Sequence, residues 1–322
     1  MEELDDHGLV PAASEPGSVA PLSELDALRV QPLGFVVLTL AGIFVLYQII
    51  GGGLTLLIFG QSITTENVQW MRLSTVLAQI LFLLVPTLYL MKAQHGMIGN
   101  VLPRRIPKVS EAVLAIAAVF SLQQVMEGYL YFQDKIPLPE SLRPFIETIR
   151  KAIEETYRLL VQAHSGPELL FVIIVVALTP AICEELLFRG LIQKNMVLGT
   201  NKKAGFILTG VVFGLYHLNP FLVVPLVGLG VLFGYLMHRS ETILVPMIAH
   251  FTNNLISVLG VYFEGNTKDS AALSMFNSLE DFSSTFVITA VLGFGLVFIV
   301  STYFYAQVTS RLQPLQSRSI GP

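Results

Sequence analysis

Residues 168–192 read ELLFVIIVVALTPAICEELLFRGLI, an apolar run with three charged side chains in its second half. A helix needs roughly 20 apolar residues to cross the hydrocarbon core of a bilayer, so this run is long enough to span a membrane. An ionisable side chain at the bilayer centre costs about 2.5–3.5 kcal/mol on insertion scales, so its presence indicates a function. The stretch therefore predicts a membrane-spanning helix that carries Glu184, Glu185 and Arg189 inside the membrane.

The composition of the whole chain is also that of a membrane protein. Of its 322 residues, 53% are hydrophobic and only 13% are charged, and the mean hydropathy is +0.67. Average soluble domains carry about 25% charged residues. The sequence therefore predicts an all-α fold, a polytopic transmembrane helix bundle of about eight spans. The apolar stretches lie at about 34–59, 72–92, 111–132, 168–192, 204–218, 220–237, 243–263 and 285–306.

The distribution of positive charge predicts the orientation of these spans. Twelve Lys and Arg residues fall on the side of the N-terminal tail and seven on the opposite side. Positively charged loops are retained in the cytoplasm, so we expect an integral membrane protein with both termini cytoplasmic. The net charge of −4 gives no basic footprint, and we expect membrane lipid rather than nucleic acid as a partner.

Two segments differ from the spans. Residues 1–30 are polar and rich in Pro, Ser and Glu, which predicts a disordered cytoplasmic tail. In residues 139–164 apolar side chains recur at steps of three and four among charged ones, which predicts an amphipathic helix. This helix lies either on the membrane surface or as a cap on the loops of the bundle. The predicted parts are the tail 1–30, N-terminal spans 31–135, an amphipathic surface segment 136–167, a catalytic core 168–263, and a loop, last span and tail 264–322.

The glutamates of the fourth predicted span have different environments. On a helix Glu185 and Arg189 stand at i and i+4, where they can form an ion pair. Glu184 points about 100° away and is left free. Outside this cluster the most conspicuous intramembrane charge is Glu127, near the end of the third predicted span.

Two further polar clusters lie on the fifth and seventh predicted spans. His250 and Asn254 stand at i and i+4, which places an imidazole and an amide on one helix face. His217 lies one turn after Phe213, whose ring would shield it. With Glu184, these residues provide a general base, a second group that handles protons and two hydrogen-bond donors for an oxyanion.

Close helix packing is predicted by two glycine pairs. Gly210 with Gly214 and Gly230 with Gly234 repeat the G-x-x-x-G spacing, which lets helix backbones approach each other in a membrane.

Other interpretations of the polar clusters stay open at this point. A transporter can use intramembrane Glu, Arg and His as a proton relay, and an idle membrane scaffold, for example a self-immunity protein, can use them as structural contacts. Glu184, His217 and His250 can ligate zinc, but the chain has no His-Glu-x-x-His and we expect no cofactor. A nucleophilic role for Cys183 is disfavoured, because the neighbouring carboxylate opposes formation of a thiolate.

The ordered set Glu-Glu-x-x-x-Arg, Phe-x-x-x-His and His-x-x-x-Asn resembles the CPBP family, also called CAAX prenyl endopeptidase type II or Abi proteins. The flanks EELLFRG at 184–190 and VPMIAH at 245–250 look like bacterial members. The resemblance covers about 168–258 and implies a glutamate-type endopeptidase of the bacterial cytoplasmic membrane that cuts a membrane-associated or lipidated protein or peptide. It implies water activation by Glu184 and His217, an oxyanion held by His250 and Asn254, and support from Glu185, Arg189 and Phe213.

The depths of the clusters conflict with a single site. At 1.5 Å per residue, Glu184 and His250 lie roughly 6–10 Å below the cytoplasmic edge of their spans, whereas His217 lies roughly 20 Å down. For the three to meet, the fifth helix must begin outside the bilayer, or the fourth must be tilted or broken near Pro180.

Overall fold

The computed structural model describes residues 31–60, 64–95, 105–266 and 282–310. Within these ranges the chain forms nine helices and no strand, which confirms the all-α prediction. The predicted tail at 1–30 lies outside the described residues. In chain order the helices are α1 (Pro32–Phe59), α2 (Val68–Gln94), α3 (Val109–Gln133), α4 (Arg143–Val161), α5 (Gly166–Gly199), α6 (Lys202–Tyr216), α7 (Val223–Ser240), α8 (Leu244–Asn266) and α9 (Ser284–Ser310).

Seven of the nine described helices are long and apolar enough to cross a membrane, so the protein is an integral membrane protein. Their outer faces carry exposed apolar side chains such as Leu57 and Leu292, as lipid contact requires. The fifth predicted span, α6, has only 15 residues. At about 22 Å it is shorter than the hydrocarbon core of about 30 Å. The bundle thus has seven helices of spanning length and one short helix, where the sequence predicted eight spans.

The helix that carries the two glutamates is longer than its apolar run. α5 has 34 residues, includes π-helical turns at Ile173–Leu178 and Leu186–Ile192, and continues seven residues beyond the predicted end at Ile192. Polar side chains in this extension are buried against protein: Gln193 donates to the Gly234 carbonyl oxygen at 3.0 Å, and the Asn195 amide pairs with that of Gln94. A hydropathy pattern cannot reveal these contacts, which is why the prediction stopped at the apolar boundary.

A tight turn between α5 and α6 resolves the conflict in depth. α5 ends at Gly199, and α6 begins at Lys202 because the Asn201 side chain accepts a hydrogen bond from the Ala204 N–H at 3.0 Å. Residue 184 is fifteen positions before the end of α5, and residue 217 is fifteen after the start of α6. In an antiparallel helical hairpin, residues equally far from the turn lie at the same level. Glu184 and His217 therefore face each other.

Glycines set the spacing between α6 and α7, as their sequence pattern predicted. A Cβ placed on Gly210 would lie 2.4 Å from the Val231 nitrogen, and one on Gly214 would lie 2.7 Å from the Val227 nitrogen. No larger residue fits without moving a backbone. The close approach of the two helices is therefore confirmed.

The amphipathic segment forms α4, which packs on one end of the bundle. Near its C-terminal end, the buried Arg72 of α2 donates to backbone carbonyl oxygens of α4 and forms an ion pair with Glu168 at 2.7 Å. Farther toward its N-terminus, Arg150 pairs with Asp134 and lies 4.8 Å from the centre of the Phe221 ring. These contacts match the cap rather than a helix that touches only the membrane surface.

Candidate active site

A cavity of about 400 Å³ lies between α3, α5, α6, α7 and α8 and is bordered by Tyr157 of α4. Most of the residues that the sequence analysis named reach this cavity, which brings together side chains from three separate helices. The named residues that line it are Glu184, Phe213, His217, His250 and Asn254. Glu185 and Arg189 do not line it and lie behind this wall.

Glu184 and His217 form the accessible part of the site. The Glu184 Oε2 and His217 Nε2 atoms are 3.7 Å apart, and the side chains are 16% and 30% exposed. His217 Nδ1 lies 2.7 Å from the Phe213 carbonyl oxygen, which can only accept, so Nδ1 carries the hydrogen. In the neutral ring Nε2 is then a hydrogen-bond acceptor facing a second acceptor, the carboxylate. A separation of 3.7 Å is too long for a direct hydrogen bond, and Glu184 Oε2 is buried with no hydrogen-bond partner among the described residues. A buried acceptor without a partner is a position where a water from the cavity can donate, here to both atoms.

The backbone beyond His217 is held in an uncommon conformation. Leu218 has a φ of 52°, in the left-handed region that side chains other than Gly, Asn and Asp rarely adopt. This residue ends α6 and turns the chain toward α7. His217 is therefore the last residue before the turn, with its ring at the edge of the cavity.

Glu185, Arg189 and His250 form a second group, called the sealed group, in which Glu185 and Arg189 are shut off from the cavity and only His250 lines it. Arg189 Nη1 lies 3.1 Å from Glu185 Oε1 and both side chains are fully buried, which confirms the ion pair predicted from their spacing. The same Glu185 oxygen lies 2.8 Å from His250 Nδ1. Arg189 also donates to the Gly230 carbonyl oxygen of α7 at 2.9 Å. Glu185 therefore links α5 to α8, a contact that the sequence did not predict.

Aromatic rings enclose this sealed group. The Arg189 guanidinium lies 4.7 Å from the ring centre of Phe213 and 5.3 Å from that of Phe233, and the Phe233 ring stacks on His250 at 5.1 Å. The Phe213 ring also packs edge-on against His217 at 4.6 Å, as its predicted shielding role requires. Phe213 therefore contacts both the accessible pair and the sealed group.

The bond to Glu185 fixes how His250 can act. A carboxylate paired with Arg189 only accepts hydrogen bonds, so His250 Nδ1 carries the hydrogen. This leaves Nε2 as an acceptor in the neutral ring and as a donor in the imidazolium. His250 can thus donate to an oxyanion only in its protonated form.

Asn254 has a structural partner as well as a place in the cavity wall. Pro180 has no N–H to donate to the Val176 carbonyl four residues earlier, and Asn254 Nδ2 donates to that oxygen at 3.1 Å. Asn253 donates to Asn254 Oδ1 at 3.1 Å, which holds the amide in this orientation. An amide nitrogen has two hydrogens, so one of them stays free for a substrate.

Sequence reasoning missed a polar patch on another part of the cavity wall. It consists of Gln123 and Glu127 of α3, Tyr157 of α4, and Asn253 and Ser257 of α8. Glu127 stood out as an intramembrane charge, but nothing in the sequence tied it to the catalytic motifs. Helical spacing could have indicated this patch. Gln123 and Glu127 are four residues apart and share one face of α3, and Ser257 is seven residues after His250 and shares its face of α8.

The alternative chemistries find less support in the geometry. Among the described residues, no group of three or more His, Cys, Asp and Glu side chains is arranged to hold a metal ion. Cys183 is buried in the hydrophobic core and does not line the cavity.

The model of one protein family, described as type II CAAX prenyl endopeptidase Rce1-like, matches residues 166–256. No curated protein and no solved structure matches the chain. The matched range runs from the start of α5 into α8 and contains all seven site residues named from the sequence. It confirms the resemblance to the CPBP family of CAAX proteases.

Proposed function

We propose that this protein is a glutamate-type intramembrane endopeptidase, because residues 166–256 match the family model described as type II CAAX prenyl endopeptidase Rce1-like. Its substrate is a peptide bond in a membrane-associated or lipidated protein or peptide.

One observation carries this proposal: the placement of Glu184 Oε2 and His217 Nε2, two acceptors 3.7 Å apart, on the wall of a cavity. A water between them donates a hydrogen bond to each and directs an oxygen lone pair away from both. A carboxylate that can take a proton from that water is a general base, and the imidazole is a second site for the proton. A purely structural pair would be expected in direct contact.

The remaining groups support attack on a carbonyl. The water transfers a proton to Glu184 while its oxygen bonds to the carbonyl carbon, and the carbonyl oxygen becomes an oxyanion. The free N–H of Asn254 and the Nε2–H of protonated His250 stabilise that charge. The proton held by Glu184 or His217 then moves to the amide nitrogen, and the C–N bond breaks. Glu185 and Arg189 position His250 without touching substrate.

The site is built for a substrate that is already in or on the membrane. Apolar side chains, among them Leu226 and Leu229, share the cavity wall with the reactive groups, and four of the five helices that enclose the cavity, α3, α5, α7 and α8, are of spanning length. An apolar peptide segment can enter such a site without leaving lipid.

The test is cleavage by the purified protein in nanodiscs of a panel of membrane-inserted peptides, with products identified by mass spectrometry. The wild type cleaves at least one peptide, and Glu184→Gln cleaves it at least about 100-fold more slowly. Equal products from both proteins, or none from either, would contradict the proposal. Proton-driven flux in proteoliposomes that Glu184→Gln abolishes would instead favour the transporter.

A further inference from the structure

Glu127 is a second carboxylate in the cavity wall, and it lies outside the range that matches the protease family. It belongs to α3, which is long and apolar enough to span a membrane. An intramembrane carboxylate is costly and marks a function by default. Glu127 forms no ion pair with any residue that the structure describes, and no described Lys or Arg side chain lines the cavity.

Hydrogen-bonding groups surround this carboxylate. Gln123, one turn before it, donates to the Ser257 hydroxyl at 3.5 Å, and Ser257 also interacts with the Tyr157 hydroxyl. The Tyr157 side chain is 46% exposed, and desolvation of its hydroxyl by the surrounding helices, with a further contribution from the negative charge of Glu127, raises the pKa of Tyr157 above its ordinary value. Tyr157 therefore stays protonated at neutral pH. The patch offers one carboxyl group beside neutral groups, and the ionised form of that carboxyl group is a suitable receptor for a cation.

The size of the cavity relates this patch to the reacting groups. A volume of 400 Å³ is about 9 Å across if it is round, the length of two to three residues of extended chain. Glu127 and Glu184 line the same cavity. A peptide with its scissile carbonyl at Glu184 can therefore place the side chain of a residue one or two positions away at Glu127.

We propose that Glu127 is a specificity residue: it binds the ammonium or guanidinium group of a Lys or Arg side chain one or two residues from the bond that is cut. The proposal rests on the proposed peptidase function and names a class of substrate for it. The Tyr157 hydroxyl and the Gln123 amide complete the polar surroundings of the bound cation.

The test uses matched membrane peptides that differ at one position beside the cleavage site, Lys in one and norleucine in the other. Hydrogen bonds to charged groups contribute enough to predict a kcat/KM about ten-fold higher for the Lys peptide with the wild type. In Glu127→Gln the ratio falls to near one. In Glu155→Gln, which removes a carboxylate from the exposed face of α4, both rates and the ratio stay as in the wild type. A wild-type ratio near one, or an unchanged ratio in Glu127→Gln, overturns the proposal.

A binding measurement separates this proposal from the proposed function. Glu184→Gln holds uncleaved peptide, so fluorescence titration in nanodiscs compares the affinities of the Lys and norleucine peptides on that background. The Lys peptide binds about ten-fold more tightly, and adding Glu127→Lys reverses the preference in favour of a Glu peptide. Absence of any cleavage by the wild type contradicts the peptidase, whereas equal affinities contradict the role of Glu127.

Discussion

Two adjacent glutamates of α5 serve two different regions of the molecule. Glu184 and His217 are partly exposed at a cavity and are not in direct contact. Glu185 is completely buried and shares one oxygen between Arg189 and His250. The helical offset of about 100° between neighbours sends one carboxylate to each region. The two carboxylates carry the same charge, so their different surroundings must set their roles. Glu185 is bound to Arg189 and His250 and orients them, whereas Glu184 has no direct partner and is available for reaction.

Neutralising Glu184, the accessible carboxylate, tests the difference between the two regions most strongly. Glu184→Gln should lower the rate of peptide cleavage by about 10²–10⁴-fold, because an amide of the same size cannot accept a proton from water. Its thermal unfolding midpoint should stay close to that of the wild type, since Glu184 has no ion pair closer than 3.7 Å. Steady-state cleavage and a melting curve in detergent check both parts. A folded variant with normal turnover would remove Glu184 from the chemistry.

The same change at the sealed carboxylate should act on stability. Glu185→Gln leaves the buried Arg189 without its counter-charge, and breaking a buried ion pair from one side costs about 3–5 kcal/mol. We expect this loss in the free energy of unfolding, measured by denaturant titration in detergent. The control is the double variant Glu185→Leu with Arg189→Met, which removes both charges and should recover most of the stability. A single variant as stable as the wild type would place Glu185 with the reactive region instead.

Asn254 contacts both regions, and a pair of variants separates its two contributions. Asn254→Ala should lower kcat by about 10²–10³ with KM nearly unchanged, because an oxyanion donor acts near the transition state. It also removes the side-chain donor to the Val176 carbonyl oxygen. Adding Pro180→Ala restores an N–H donor for that carbonyl, so the double variant should regain stability but not kcat. Recovery of kcat in the double variant would mean that Asn254 is only a structural contact.

The spacing of α6 and α7 affects the sealed group, because it sets the position of the Gly230 carbonyl oxygen that accepts a hydrogen bond from Arg189. A change in this spacing therefore tests how far close helix packing constrains the sealed group. Gly210→Ala forces a Cβ to within 2.4 Å of a backbone nitrogen and should destabilise the protein by about 1–3 kcal/mol. Gly293→Ala is the matched control in α9, where a Cβ meets nothing within 4 Å. That variant should be neutral or slightly more stable, since alanine favours helix. Equal unfolding free energies for the two variants would show that close packing does not constrain the sealed group.

The smallest expected effect is that of metal removal. Protein dialysed against strong chelators should keep its cleavage rate if Glu184 and His217 activate water by themselves. Elemental analysis of the assayed sample provides the control. Stoichiometric zinc that turnover requires would contradict this, and Glu184, His217 and His250 would then be the ligands to test.

Local relations along a helix were predictable from the sequence, and relations between helices were not. The Glu185–Arg189 pair follows from a spacing of four, and the membrane spans follow from apolar length. The bond from Glu185 to His250 joins residues 65 positions apart and depends on the packing of α5 against α8. No property of either residue alone indicates it.

The hydropathy pattern of the sequence also could not predict where helices end. The apolar run of α5 stops at Ile192, but buried hydrogen bonds to Gln193 and Asn195 allow the helix to continue. The same limit applies to α4, whose amphipathic pattern fits a membrane surface and a protein cap equally well. Arg72 of α2 holds its C-terminal end through hydrogen bonds to two carbonyls that lie 87 and 88 residues later in the chain.

The ion pair within α5 also has a consequence for biosynthesis. Ribosomes make α5 before α7 and α8, so neither Gly230 nor His250 exists as a partner while α5 enters the bilayer. An unpaired charge at the centre of an inserting segment costs about 2.5–3.5 kcal/mol. Arg189 brings its counter-ion on the same helix, at a spacing that needs no other part of the chain. Two of the three central charges of the nascent segment, Glu185 and Arg189, therefore neutralise each other before the segment enters the translocon. The later helices α7 and α8 then bind an ion pair that is already formed.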